Sequence, residues 1–334
     1  MTLFALLAGS VFCMSRNDWT LAHIALVPAF LWHTLGTFVL TDTLSGNFGY
    51  YLFFFSIVLM FFPHKYYFLK LMVVWLYFLS TLAKLHETWV LGTYFSALKT
   101  GLPFFPKWSI PFWTNTVIFM EMVGAWFLLS NTRILQRGAL LFFVFFHLYS
   151  GLLVEYRYPA TVLPTILILF GTMYWHEVPP VDKKSLLGWF LCLLMLVAQC
   201  IPILIPGDEK LTLEGNKYGL YMFEANHQCI SRYTVHTSDG SAIPYVKENA
   251  SARNRCDPYQ YWFQLQSICT RNDSAVTRIS WTFDHSINGN PFLRIVDTDN
   301  ACALTYTAFK HNTWIKTPER GAEIIGYPVQ NLYF

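Results

Sequence analysis

The chain has 334 residues, 54% of them hydrophobic and only 13% charged, with 30 Phe and 12 Trp. Soluble domains carry about 25% charge, so this composition points to a membrane protein. The net charge of +3 is small and its basic residues are scattered, which excludes a nucleic-acid binder read from charge alone.

Taken in order, the apolar runs predict about eight helices, with boundaries good to a few residues. They cover about 1–14, 19–40, 47–62, 68–87, 109–130, 138–156, 160–176 and 185–205. Short loops separate them, punctuated by Pro63, Pro106, Pro159 and the Pro179-Pro180 pair. The first residues lack a basic region, so no cleavable signal peptide is expected. The apolar runs stop near Ile205, and ordinary mixed composition follows. The expected fold class is therefore an α-helical multi-pass membrane domain over 1–205, followed by a small α+β domain over 206–329. Residues 330–334 resemble a tag remnant and stand apart from the argument.

Loop charges orient such a bundle. Arg16, Lys65, Lys70, Arg133, Arg137, Lys183 and Lys184 follow the odd-numbered helices, against Lys99, Lys107 and Arg157 after the even-numbered ones. The first set reads as cytoplasmic, which makes the C-terminal domain non-cytoplasmic, in the ER lumen or periplasm. Cys229, Cys256, Cys269 and Cys302 lie in that domain and can form two disulfides in an oxidising compartment, with three pairings open. Cys13, Cys192 and Cys200 lie in apolar helices and read as inert core residues. No CxxC spacing occurs, so no metal site is expected. Asn249 and Asn272 begin glycosylation sequons, usable on a lumenal side.

Within the globular part, Cys229 to Thr237 alternates and then turns at Ser238-Asp239-Gly240-Ser241, a hairpin signal. Asp257 to Thr270 has helical spacing, and Asp257-Pro258 suits a helix start. Strands are expected over Ile279–Asp284 and Phe292–Val296, with a turn at Asn288-Gly289-Asn290.

Polar groups inside apolar runs mark the candidate chemistry. Lys84 ends the fourth run, and Glu87 lies one turn away on the same helical face. The bland reading of Lys84 is a lysine snorkelling to headgroups. Glu121 and His147 fall near the middle of the fifth and sixth runs, which a short loop makes antiparallel neighbours. Both then sit at similar depth, able to pair with each other or with Lys84. A lysine held in an apolar pocket gives up its proton and can act as a base. His33 reads instead as a neutral imidazole bonded to a neighbouring helix. His86-Glu87 and His176-Glu177 are halves of a HExxH without the second His, and there is no GxGxxG, GxxxxGK[ST] or GxSxG.

Tyr77 to Gly92, with Ala83-Lys84-Leu85, Trp89-Val90 and Gly92, resembles a stretch of the vitamin K-dependent γ-glutamyl carboxylases. Phe146-His147-Leu148-Tyr149-Ser150-Gly151, followed by Tyr158-Pro159, is similar to a second segment of that family. Leu213 to Phe223 and Ser280 to Pro291, then Arg294 to Asp297, resemble two more, in the same order along the chain. The wider family carries the horizontally transferred transmembrane domain, and not all of its members are carboxylases.

The resemblance implies a carbon–carbon lyase. A lysine at the position of Lys84 deprotonates vitamin K hydroquinone, and oxygen converts the quinol to a strong base on the way to the epoxide. That base removes a γ-proton from a substrate glutamate, and the carbanion captures carbon dioxide. His147 matches a family histidine. Glu121, Tyr77, Tyr149 and Ser150 are the candidate quinol-binding residues, Glu121 by depth alone. The implied partners are a glutamate-containing peptide or protein, the lipid membrane and a quinone reductase. A second family histidine falls at Asn47 here, Val154-Glu155-Tyr156-Arg157 replaces a more apolar stretch, and the region that binds a substrate propeptide is mostly missing. The alternative is a non-catalytic quinone- or lipid-binding subunit that keeps the fold.

Overall fold

A computed structural model describes residues 2–40, 46–82, 84–85, 87–93, 102–154, 159–171, 177–205, 209–215, 227–248, 256–270, 276–287, 291–316 and 327–328. The chain divides into two compact units: one built on Met1–Leu85 and Asn115–Gln199, the other on His86–Thr114, Cys200–Asn216 and Phe223–Phe334.

The first unit is helical. Helices α1 (Thr2–Ser15) and α2 (Trp19–Leu40) form a hairpin. Its turn uses Asn17 in the left-handed region, and Asp18 caps α2 by accepting the Leu21 amide. Ser10 donates to the Ala22 carbonyl across the hairpin. Helix α3 (Gly46–Phe61) leads through His64, also left-handed, into α4 (Lys65–Leu82). Helix α5 (Ile110–Phe119) runs on through a π-helical turn, Met120–Gly124, and ends at Ala125–Phe127. Then come α6 (Arg133–Val154), α7 (Pro159–Phe170) and α8 (Leu186–Leu204). Gln136 and Arg137 donate to the Phe170 and Gly171 carbonyls and so satisfy the open end of α7.

These helices overturn the expected fold class. Among the described residues one helix, Arg133–Leu152, is long and apolar enough to cross a membrane. Thr2–Ser15, Trp19–Leu35 within α2, Pro159–Phe170 and Leu186–Ala198 within α8 are apolar stretches of 10–17 described residues, where a span takes about 20. The fifth run continues through its π turn, and its α-helical parts on either side have ten and three residues. Helix α4 is apolar because it is packed within the protein: twelve of its 18 residues are buried, Lys70 among them. Hydropathy alone does not separate such a core helix from a span. The multi-pass localisation, and the loop-charge orientation built on it, fall with the spans. The chain is instead an α+β protein with its helices in one unit and a helix-backed sheet in the other.

That sheet is antiparallel, in the order β2-β1-β3-β4-β5. The strands are β1 (His227–Thr237), β2 (Ala242–Glu248), β3 (Val276–Ile287), β4 (Leu293–Thr298) and β5 (Tyr327–Pro328). β1 and β2 form the hairpin that the alternation signalled, with Gly240 left-handed in the turn. β2 escaped the sequence because all seven of its residues are exposed and it contains Pro244, as an edge strand tolerates. Helix α9 (Pro258–Thr270) starts where Asp257 accepts the Tyr259 amide. It packs with Val235, Ile279, Trp281 and Phe283 around one core. Cys229–Cys256 staples the start of α9 to β1, and Cys269–Cys302 staples its end to the turn after β4. In chain-entropy terms each closure is worth about 3–4 kcal/mol. The sequons at Asn249 and Asn272 and the turn at Asn288 lie outside the described residues.

Two buried polar clusters flank this core. Asp284 is held by Arg232 at 2.7 Å and by Arg294 at 2.6 Å. On the other face His285 donates from Nδ1 to the Leu211 carbonyl at 2.7 Å, so its Nε2 accepts from His227 Nδ1 at 3.0 Å. Burial pushes the His285 imidazole down to about 4 against the pull of the Leu211 carbonyl, so this ring is neutral near pH 7.

Two predictions follow from packing and from this burial. Gly92 has φ +73° and a Cβ there would lie 2.6 Å from Ile110 Cγ2. Gly92→Ala should therefore cost roughly 1–3 kcal/mol in denaturant unfolding, and an unchanged midpoint would refute the reason given. His285 titrates at the ordinary 6.5 when unfolded and near 4 when folded. The unfolded chain takes the proton first, so stability present above pH 6.5 is lost as pH falls toward 4, by roughly 3 kcal/mol. In the folded protein the His285 ring resonance should stay flat between about pH 7 and 5.5; a titration step inside that window contradicts the assignment.

Candidate functional site

The candidate site is built on the C-terminal half of α4. Tyr77, Thr81 and Lys84 recur at spacings of four and three, so they share one helical face. The helix closes at Leu82, and the Lys84 amide bonds the Thr81 carbonyl at 2.8 Å. Lys84 therefore sits just past a helix C-terminus, where the dipole favours a cation.

Glu121 enters from the π turn. A π turn inserts one residue into the helical repeat and re-aims the side chains it carries. Here it buries Glu121 completely, and Lys84 Nζ contacts Glu121 Oε2 with side-chain exposures of 4% and 0%. Thr81 Oγ1 lies 2.7 Å from the same Oε2 and 2.7 Å from the Tyr77 carbonyl. Among the described residues Glu121 Oε1 has no hydrogen-bond partner.

A second contact lies further back along the same stripe. The Tyr77 hydroxyl bonds His147 Nε2, and both side chains are buried. The Tyr77 ring stacks on Phe143 with centroids 4.3 Å apart. Phe143 and His147 are four apart on α6, so one face of that helix supplies both contacts.

The structure thus joins Glu121 to Lys84 and His147 to Tyr77. Tyr149 is two residues beyond His147 and points to a different side of α6. Ser150 turns its hydroxyl back onto the His147 carbonyl at 3.1 Å. His33 is half-buried on α2. The side chains of Asn47 and Glu87, and all of His86, lie outside the described residues, as does the shared Lys84–Glu87 face. Thr81 was invisible to sequence reasoning because a threonine in an apolar helix is unremarkable. Its only signal is its spacing from Tyr77 and Lys84.

No protein-family model matches the chain, and neither a curated protein nor a solved structure matches it.

Electrostatics give the pair a measurable signature. Removing one partner leaves the other charge or polar group buried alone, whereas replacing both leaves an apolar contact. Glu121→Leu should lower stability by about 3–5 kcal/mol, and Lys84→Met combined with Glu121→Leu by much less. A double-variant loss equal to the sum of the two single-variant losses, measured by denaturant unfolding, would mean the two groups are not coupled.

Proposed function

We propose that the chain is a quinol-dependent enzyme of the glutamate γ-carboxylase and quinol-epoxidase type, with Lys84 as its base. The observation that carries this reading is the burial of the Lys84 amine against Glu121, beneath the Tyr77–His147 contact. The four collinear segments that resemble the vitamin K-dependent carboxylases support it from the sequence side. A lysine is a useful base only where water is excluded, and this one is 3% exposed.

The residues present fit a hydroquinone. Glu121 Oε1 is a buried acceptor with no partner among the described residues, and a hydroquinone hydroxyl is a donor of matching chemistry. When bound, the hydroquinone would supply, with dioxygen, the oxidising power and strong base needed to remove a glutamate γ-proton before carbon dioxide adds. Lys84 removes the hydroxyl proton, and Glu121 and Thr81 hold Lys84 in place. His147 and Tyr77 form a polar contact against the Phe143 ring that can line the quinol's other end. A glutamate-bearing peptide is the proposed acceptor, and a quinone reductase the proposed partner that regenerates the quinol.

One observation favours a second reading. Lys84, Thr81 and Glu121 Oε2 are bonded to one another, so the cluster also works as a clamp between α4 and the π turn. A non-catalytic quinone-binding subunit needs no more than that. The assay that separates the two follows ¹⁴C-bicarbonate incorporation into a glutamate-containing peptide with reduced vitamin K. Wild type should incorporate label and form quinol epoxide, and Lys84→Ala should lose at least about 10²-fold. Folded wild type that makes neither product, yet retains bound quinone, would establish the clamp reading instead.

A further inference from the structure

The Thr81 hydroxyl has one hydrogen and two oxygens at 2.7 Å, the Tyr77 carbonyl and Glu121 Oε2. A carbonyl oxygen can only accept. If Thr81 donates to it, the hydrogen in the second contact must come from Glu121. If Thr81 instead donates to Glu121, two bare oxygens face each other across 2.7 Å on the Tyr77 side, which is repulsive. Ser80 does not relieve that contact, because its own hydroxyl is directed more closely to the Leu76 carbonyl. One Thr81 hydrogen can serve both oxygens only as a weaker shared bond, whereas a proton on Glu121 Oε2 gives each contact a hydrogen of its own.

An independent observation agrees. Glu121 is fully buried and its Oε1 has no partner among the described residues. In a carboxylate both oxygens share the charge, and leaving one bare in a dry interior is costly. In a carboxylic acid with its proton on Oε2, Oε1 is a neutral carbonyl oxygen, and leaving it bare costs less.

The proton need not come from outside. An ammonium–carboxylate pair and an amine–carboxylic acid pair have the same atoms and the same total charge; they differ in which atom holds one proton. We propose that Thr81 is a positioning residue that keeps this shared proton on Glu121 Oε2, leaving Lys84 a neutral amine. The role for that amine rests on the proposed function above. Lys84 Nζ forms a bond to the hydrogen of a substrate hydroxyl as the O–H bond breaks. The resulting oxyanion faces a new ammonium, and Glu121 keeps its own proton. No further reactant is required. A base prepared in this way suits a substrate with a weakly acidic hydroxyl, the class to which a hydroquinone belongs.

Infrared spectroscopy of the whole protein tests the proton's location without turnover. Wild type at neutral pH should show the carbonyl stretch of a buried carboxylic acid that is missing in Glu121→Gln. Thr81→Val, which removes the hydroxyl at nearly constant shape, should lose or shift that band and lower kcat roughly tenfold, while Thr81→Ser should restore both. Absence of the acid band in wild type overturns the inference whatever the carboxylation assay gives. A band unchanged in folded Thr81→Val overturns the role of Thr81. Should Thr81→Val not fold, Thr81→Ser decides, because loss of the band in a variant that keeps the hydroxyl contradicts the assignment. An acid band in a wild-type protein that makes neither carboxylated peptide nor epoxide leaves this inference standing and removes the proposed function.

Discussion

A lysine buried beside a glutamate is the constraint around which the helical unit is arranged. Removing both groups from water costs several kcal/mol each unless each finds the other in good geometry. Lys84 alone has no means of arranging that. Its helix ends two residues earlier, so it leaves α4 on a short turn. The carboxylate has to be delivered from elsewhere, and the π turn in the helix that begins at Ile110 delivers it. A regular helix through Met120–Gly124 would aim position 121 differently. The local irregularity is thus tied to the Lys84–Glu121 contact, and α4 must be deeply packed to receive it. Phe68, Met72, Leu76 and Tyr77, all nearly fully buried, provide that packing.

The sheet unit solves its polar problems in two different ways. Asp284 keeps its buried carboxylate by drawing two arginines onto it, and their bulk remains partly in water. His285 stays neutral in a directed chain that runs from His227 Nδ1 through its own ring to the Leu211 carbonyl. The second arrangement is sensitive to acid, because a proton on His285 Nε2 removes the acceptor that His227 Nδ1 uses. The α9 disulfides act on a third term. They limit the unfolded ensemble, which matters for a small domain whose edge strand β2 contributes no buried residue.

What could be read from the sequence depended on whether the signal was local. Glu121 and His147 stand out because ionisable side chains in apolar runs are conspicuous, and the elements that hold them lie where those runs lie. Gly92 was conspicuous as a residue, but its left-handed φ and the approach of Ile110 are visible only in three dimensions. The pairing of four cysteines, the π turn and the Thr81 contacts all depend on distances between segments, which periodicity does not encode. The misreading of eight spans has the same origin. Apolar composition records that a helix avoids water, and α4 avoids it within protein. β2 went unseen for the opposite reason: a fully exposed edge strand with Pro244, Lys247 and Glu248 leaves no alternating apolar pattern.

The two polar contacts on α4 lie at different heights along it. Tyr77 and Lys84 are seven residues apart, so their backbone positions are separated by roughly 10 Å. Thr81 lies between them and touches both: its hydroxyl reaches the Tyr77 carbonyl and the carboxyl that faces Lys84. The Lys84–Glu121 contact at one end of this stripe and the ring contact at the other therefore use different atoms. Phe143 stacks on Tyr77 and fixes the upper contact by packing, while Glu121 fixes the lower one by charge or by a shared proton. An apolar substitution along this stripe then acts differently at its two ends. At Tyr77 it removes a packed ring and a hydroxyl together, whereas at Thr81 it removes one hydrogen-bonding group and leaves the packing nearly intact. That difference makes Thr81 the position where the chemistry of the site can be separated from its stability.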